Sequence, residues 1–270
     1  MNAAFWEEHW RRRFDSRDIR RATGSPVPDM QYWDARAGDL SALRKSNDYD
    51  FGRAVYDAVG TVLNEDSCVL DVGAGPGSLT IPFARCVRHV TALEPSSEMI
   101  RRLKKNAEEV GTQNYDIIPE LLEDVASTRM PHRYDLVVTS GILWIFRDIW
   151  PMLEMLESLS DKYCAVVSNL PKEAVPSVPY DSIAGEFQIL FNLLLSHGRL
   201  PNIQSVPFHC ERPIEEELQS RVLLESQFNP SVSQTDRERF RLQIESASEN
   251  GLCRTSKRAV VIRWDKHERI

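Results

Sequence analysis

The chain has 270 residues, 42% of them hydrophobic, with 33 basic and 40 acidic side chains and a formal net charge of −7. This length and apolar share support a full core, as one large domain or one domain with an elaboration. An acidic chain lacks the phosphate-neutralising surplus on which nucleic-acid affinity rests, and the densest apolar run, 187–195, is about half a membrane span. A soluble protein with neither a nucleic-acid nor a membrane partner is therefore expected.

Residues 5–21 read as an amphipathic helix. Its Arg11, Arg12, Arg13, Arg17, Arg20 and Arg21 alternate with Glu7, Glu8, Asp15 and Asp18, the pattern of a solvated, ion-paired face. The breaker cluster 22–30 then predicts a loop or hinge. A second helix is expected over 31–43, carrying Tyr32, Trp33 and Arg36, and Phe51, Ala54, Val55, Ala58 and Val62 follow a further helical stripe. Short, nearly continuous apolar runs predict strands at 68–72, 89–93, 115–118, 135–139 and 163–168, as in a parallel sheet covered on both faces. Helices fit between them at 78–86, 97–110, 119–127 and 149–159. This βα alternation is the doubly wound pattern.

Beyond Asn169 the rhythm breaks at Pro171, Pro176 and Pro179. A helix over 181–197 is apolar nearly all round, so it must be buried on two sides, either between core and cap or in a dimer face. Strands at 203–210 and 257–264 close the pattern, with charged helices at 213–227 and 235–248 between them. The five cysteines contain no C-x-x-C pair and the six histidines no metal-ligand spacing. No secretory pattern opens the chain. A reducing cytoplasm and no metal are the expectations.

The stretch richest in chemistry runs Val69-Leu70-Asp71-Val72-Gly73-Ala74-Gly75-Pro76-Gly77-Ser78, and Glu94 follows 21 residues after Gly73. A buried strand, a glycine turn, a helix start and an acid at the end of the next strand together make a nucleotide site. The glycines admit the ligand to the backbone, and the acid accepts from both ribose hydroxyls. The dinucleotide fingerprint asks for a glycine where Ser78 stands, which points away from a pyrophosphate ligand.

The run Leu70–Gly77 resembles motif I of class I S-adenosyl-L-methionine (SAM)-dependent methyltransferases, and Ala92-Leu93-Glu94-Pro95-Ser96 resembles their second motif. The resemblance covers roughly residues 50–170. It implies an α/β fold with a doubly wound, mostly parallel seven-stranded sheet whose final strand pair is reversed. It also implies SAM as cofactor, with S-adenosylhomocysteine as product. Gly73 and Gly75 would lie under the methionyl part, where a Cβ would collide with the ligand, Asp71 would help hold its ammonium, and Ala74 and Gly77 would complete the cofactor-binding turn. Glu94 would take the ribose, Pro95 and Met99 would touch the adenine, and Leu122, Glu123 or Asp124 would neighbour its amine. Ser140 and Gly141 would lie at the mouth of the crevice.

The Tyr-Trp-x-x-Arg-Ala element resembles segments that fold over the cofactor in small-molecule methyltransferases. Residues 1–48 are accordingly expected as an N-terminal helical lid hinged at 24–28, 49–170 as the SAM-binding core, 171–202 as a helical insertion between strands five and six, and 203–270 as the completing strand pair. Tyr32, Trp33, Arg36, Trp144 and Phe187 are candidate acceptor-pocket residues. No catalytic residue is assigned, since transfer from a sulfonium can rest on alignment and exclusion of water. Signatures of nucleic-acid amino methylation, cytosine-C5 methylation and arsenite methylation are absent. Methylation of a small-molecule acceptor by a monomer or homodimer is the leading expectation. A protein side-chain methyltransferase and a SAM-binding protein without transferase activity remain as alternatives.

Overall fold

The apolar runs become strands because their side chains alternate between two hydrophobic layers. In β1 (Cys68–Val72), Val69 packs into one layer while Leu70 and Val72 pack into the other. In β4 (Tyr134–Ser140), Leu136 and Val138 face the first layer and Val137 the second. The computed structural model describes residues 2–16, 29–127, 133–169, 185–228 and 231–270. Strands β2 (His89–Leu93), β3 (Tyr115–Ile118) and β5 (Ser160–Asn169) join β1 and β4 in parallel. Three strands follow in the chain, β6 (Asn202–Pro213), a two-residue β7 (Ser248–Glu249) and β8 (Leu252–Asp265). β8 runs antiparallel to both β5 and β6. The order is β3-β2-β1-β4-β5-β8-β6, with β7 pairing β8 off that path. The sheet thus has the doubly wound, mostly parallel form, but the reversal expected of the final pair falls on β8, since β6, antiparallel to β8, runs in the sense of β5. The short β7 is an eighth strand, and two residues leave no hydrophobic period for a sequence to show.

Nine helices among the described residues complete the layers: α1 (Ala3–Asp15), α2 (Met30–Val59), α3 (Thr80–Ala84), α4 (Ser97–Glu109), α5 (Leu122–Ser127), α6 (Ile149–Leu159), α7 (Glu186–Ser196), α8 (Ile214–Phe228) and α9 (Gln234–Ser246). Helix α7 carries Ile189, Leu190, Leu193 and Leu194 into the sheet-side cluster, and Trp6 and Trp10 of α1 join the same cluster. The doubly apolar helix is therefore sandwiched between the sheet and α1. Trp10 is fully buried and its Nε1 donates to the Phe146 carbonyl at 2.8 Å. Arg11 pairs with Asp148 at 2.7 Å, Arg12 with Glu8 and Arg147 with Asp15, an ion-paired helix as its charge pattern suggested. This corrects one expectation. Helix α1 is core packing and lies away from the crevice, because its tryptophans need the apolar face that α7 offers. The expected hinge at 24–28 lies outside the described residues, as do Arg17, Arg20 and Arg21 and most of the proline-rich stretch after Asn169.

Helix α2 positions the site. The two predicted helical segments form one element broken at Ser46–Tyr49. There Ser46 is extended and Asn47, Asp48 and Tyr49 hold left-handed φ of 53°, 52° and 60°, a region costly for side chains bulkier than Asn or Asp. The break is anchored from several sides. The Ser46 hydroxyl accepts from the Glu211 N–H and donates to the Glu211 carbonyl. Arg85 grips the Asp48 carboxylate with two nitrogens and, with Arg53, holds it below the usual carboxylate range. Tyr49 is buried against Ile81 and Ala107.

After the break, Phe51, Val55, Ala58 and Val59 pack on the sheet. A Cβ on Gly52 would stand 2.2 Å from the Ser78 carbonyl oxygen and 2.4 Å from Pro82 Cγ. Only a glycine lets α2 come this near the turn after β1. We expect Gly52→Ala to cost about 2–3 kcal/mol, within the range for overpacking against a backbone that cannot yield. Chemical denaturation checks this, and a stability within experimental error of the parent would refute the close-approach account.

Candidate functional site

The parallel strands end together at one edge. Beyond their carboxyl ends, where open α/β sheets bind ligands, lies a cleft of about 1030 Å³. Its floor is the glycine turn and its roof the first half of α2. Its far wall comes from β6 and β8, which contribute Pro207, Phe208, Cys210 and Lys257.

The turn is shaped by left-handed glycines. Gly73 (φ 72°) and Ala74 both donate to the Leu93 carbonyl, at 2.9 and 3.2 Å. A Cβ at Gly73 would meet Ile142 Cγ2 at 2.8 Å, so the protein's own packing, with the left-handed φ, already calls for glycine here. Gly75 (φ 55°) is the converse case. A Cβ there would find only Met99 Sδ, at 4.0 Å, and would otherwise project into the cleft. Gly77 lies behind the turn against Ile81 and does not line the cleft.

Glu94 joins two turns. One carboxylate oxygen accepts from the Gly75 N–H and the other from the Ser96 N–H, each at 2.8 Å. It is buried, and burial raises its pKa while the two N–H bonds oppose the rise. Each oxygen keeps a second acceptor position. Ser96 in turn donates to Asp34 of α2 at 2.6 Å, tying the roof to the loop that carries Glu94.

Asp71 is equally buried. Its Oδ2 accepts from both the N–H and the hydroxyl of Thr80, at 2.9 and 2.7 Å. Burial pushes its pKa up to about 7, the Thr80 bonds pull down, and the charge of Glu94 adds to the rise.

The roof is held by buried polar pairs. Ser41 and Asn106 bond at 3.1 Å, Asn106 reaches the Pro76 carbonyl at 2.9 Å, and Asp39 takes Arg212 at 2.8 Å. Trp33 and Trp144 approach within 5.8 Å at 47°, and Trp144 is fixed by its Nε1 on the Gly141 carbonyl.

Of the predicted positions, Asp71, Gly73, Ala74, Gly75, Glu94, Pro95, Met99, Leu122, Glu123 and Ser140 all line this cleft, as do Trp33, Arg36 and Trp144. Two acceptor candidates do not. Tyr32 points away and its hydroxyl accepts from Arg36 at 3.3 Å, while Phe187 packs on the α1–α7 cluster. Residues that the sequence did not single out include Asp34, Leu40, Leu43, Arg44, Phe208 and Lys257. Arg44 and Lys257 read as ordinary charges locally, and Phe208 as strand core. Among the described residues no histidine lines the cleft and no metal-binding cluster occurs.

Comparison with known proteins agrees with this geometry. Residues 69–161 match the family described as "Methyltransferase domain". The chain is 32% identical over 83 residues to "Probable (S)-tetrahydroprotoberberine N-methyltransferase 2" of Papaver bracteatum, covering 30% of this chain and 22% of that protein. It is 37% identical over 75 residues to a ubiquinone biosynthesis O-methyltransferase of Methylobacterium, covering 28% and 29%. It is also 35% identical over 68 residues to a 23S rRNA (uracil(1939)-C(5))-methyltransferase of Aliivibrio fischeri, covering 25% and 16%. The chain thus spans less than a third of the length of each of these relatives. In fold it is similar to YjhP of E. coli, with a TM-score of 0.56 at 16% identity over 86% of this chain and all of that one. The matched segment runs from β1 to the first residues of β5 and so contains the whole glycine-turn half of the cleft; over that segment the chain matches a methyltransferase domain.

Proposed function

We propose that this protein transfers a methyl group from SAM to a small-molecule acceptor enclosed in the cleft. The observation that carries the reading is the roofed cleft of about 1030 Å³, at the upper end of the roughly 300–1,000 Å³ usual for small-molecule sites. Much of its wall is apolar, from Trp33, Leu40, Ile142, Trp144, Phe146 and Phe208. Such a wall suits a metabolite better than an extended chain.

The residues fit the cofactor. Gly75 leaves open the space a Cβ would fill, Glu94 has acceptor positions to spare for a ribose, and the buried Asp71 offers a carboxylate to a cation. When bound, the cofactor supplies a methyl group already activated by a sulfonium. The chain's own tasks are to hold the two partners in line, keep water out, and match charge. Trp33 and Trp144 close the roof, and exclusion of water strengthens the electrostatic contacts beneath them. The similarity to small-molecule N- and O-methyltransferases supports this reading. The similarity to an rRNA methyltransferase, over a segment of comparable length, is set against an acidic chain.

The acceptor class is tested by incubating the protein with methyl-labelled SAM and separated metabolite, RNA and protein fractions of a cell extract. Label should enter the metabolite fraction, and incorporation confined to RNA or protein would reject the small-molecule reading.

Glu94→Ala should weaken SAM binding at least tenfold while the protein stays folded. Charge-assisted hydrogen bonds at about 1.5–3 kcal/mol each set the scale, less the solvation a free carboxylate regains. Calorimetry decides, and undiminished affinity in a folded variant removes Glu94 from the cofactor site.

Asp71 predicts a pH dependence. Its carboxyl is protonated in the free protein below about pH 7, and a bound cation favours the ionised form. Binding must then expel a proton on the acid side, so SAM affinity should climb from about pH 6 to pH 8. Asp71→Asn should flatten that climb. A slope that persists in the variant would assign the titration to another group.

A further inference from the structure

The charges around the cleft are segregated. Asp71, Glu94, Glu120 and Glu123 line the end beneath the parallel strands, the end that would hold a cationic cofactor. Arg44, Lys257 and Arg258 line the other end, against β6 and β8, and Arg258 Nε donates to the Ser205 hydroxyl at 3.1 Å. The neighbouring cations have local partners. Arg36 and Arg212 share the Asp39 carboxylate, at 3.6 and 2.8 Å, and Arg212 also reaches Glu217 at 3.8 Å.

Arg44 has no hydrogen bond or ion pair among the described residues. Its guanidinium lies 4.1 Å over the Phe51 ring, and Phe51 meets Phe208 edge-on at 4.9 Å. Burial lowers its pKa to about 10, and the charges of Arg212 and Arg36 add to that fall; the group is still a full cation at neutral pH. Lys257 pairs in register with Phe208 across the β6–β8 ladder. Directly opposed residues share a sheet face, so Lys257 stands on the same side as Phe208, toward Arg44. Among the described residues it too has neither hydrogen bond nor ion pair. Two cations with neither a hydrogen bond nor an ion pair among the described residues, at the end of an apolar chamber, form a site for an anion. Arg44's planar fork matches a carboxylate. The apolar walls favour a monoanion over a dianionic phosphate, whose desolvation costs more.

We propose that the acceptor has an apolar body ending in a carboxylate, and that Arg44 and Lys257 bind this carboxylate at the β6–β8 end of the cleft while the acceptor atom faces the glycine turn. The proposal rests on the small-molecule reading above and deepens it.

The test is calorimetric titration of the full chain with benzoate, phenylacetate, cinnamate and octanoate, each against its own primary amide, and with phenyl phosphate. Every titration is run with and without saturating S-adenosylhomocysteine. At least one acid should bind about tenfold more tightly than its amide. In Arg44→Met that preference should fall to within about twofold, Arg44→Lys should recover part of it, and Lys257→Met should reduce it from a separate strand. S-adenosylhomocysteine affinity should stay unchanged in all three variants, which shows them folded. The proposal is overturned if no acid outbinds its amide in the parent, if the preference survives in folded Arg44→Met, or if phenyl phosphate outbinds benzoate. Failure of S-adenosylhomocysteine to bind would overturn the transferase reading instead, while the acid–amide comparison without it would still decide this one.

Discussion

The Glu94 carboxylate is the point on which the site depends. A buried acid is expensive unless its oxygens find donors, and here two backbone N–H groups, from Gly75 and Ser96, answer it. The same bonds fix the glycine turn after β1 and the loop after β2 relative to each other. Ser96 then passes the constraint to Asp34 of α2, so floor, side wall and roof are set by one connected chain of donors and acceptors. In such a network each bond orients the next, so the Glu94 carboxylate is held in one place by the backbone around it.

The roof depends on a costly piece of backbone. Three consecutive left-handed residues without a glycine among them persist only where the surroundings over-determine them. The Ser46–Glu211 exchange, the Arg85–Asp48 fork and the burial of Tyr49 supply that determination. The break lets one element do two things. Its second half packs on the sheet through Phe51 and Val55, closely enough that Gly52 must be bare. Its first half lies across the strand ends and brings Trp33, Arg36 and Arg44 to the cleft. A straight helix of the same length would have placed one half or the other, not both.

The N-terminal helix serves a different purpose. Trp6 and Trp10 cover the outer face of α7, and His197 at the end of α7 stacks on Trp150 at 3.5 Å and meets Glu7 at 3.1 Å. These contacts bind α1 to the side of the sheet opposite α2. The first two helices of the described residues thus cover opposite layers, and of these two the second belongs to the cleft.

The strand spacing, the glycine turn and the acid at Glu94 were legible because each is a local pattern. Period-two burial marks a strand within a few residues, and a turn that needs positive φ declares itself in its glycines. Those features sufficed for the sheet, the cofactor class and most of the cleft floor. The sequence could also say that the 186–196 helix needed cover on both sides, though not that α1 provides it. The far wall was beyond its reach. Phe208 and Lys257 come from a mutually antiparallel strand pair more than a hundred residues beyond the glycine turn, and Arg44 sits beside a backbone break that no propensity announces. Whether a lysine or arginine is a solvated surface charge or an unpaired cation in an apolar chamber depends on which distant side chains surround it. Only the folded chain decides that, because the desolvation and the missing carboxylate are properties of the space around the residue and not of its neighbours in sequence.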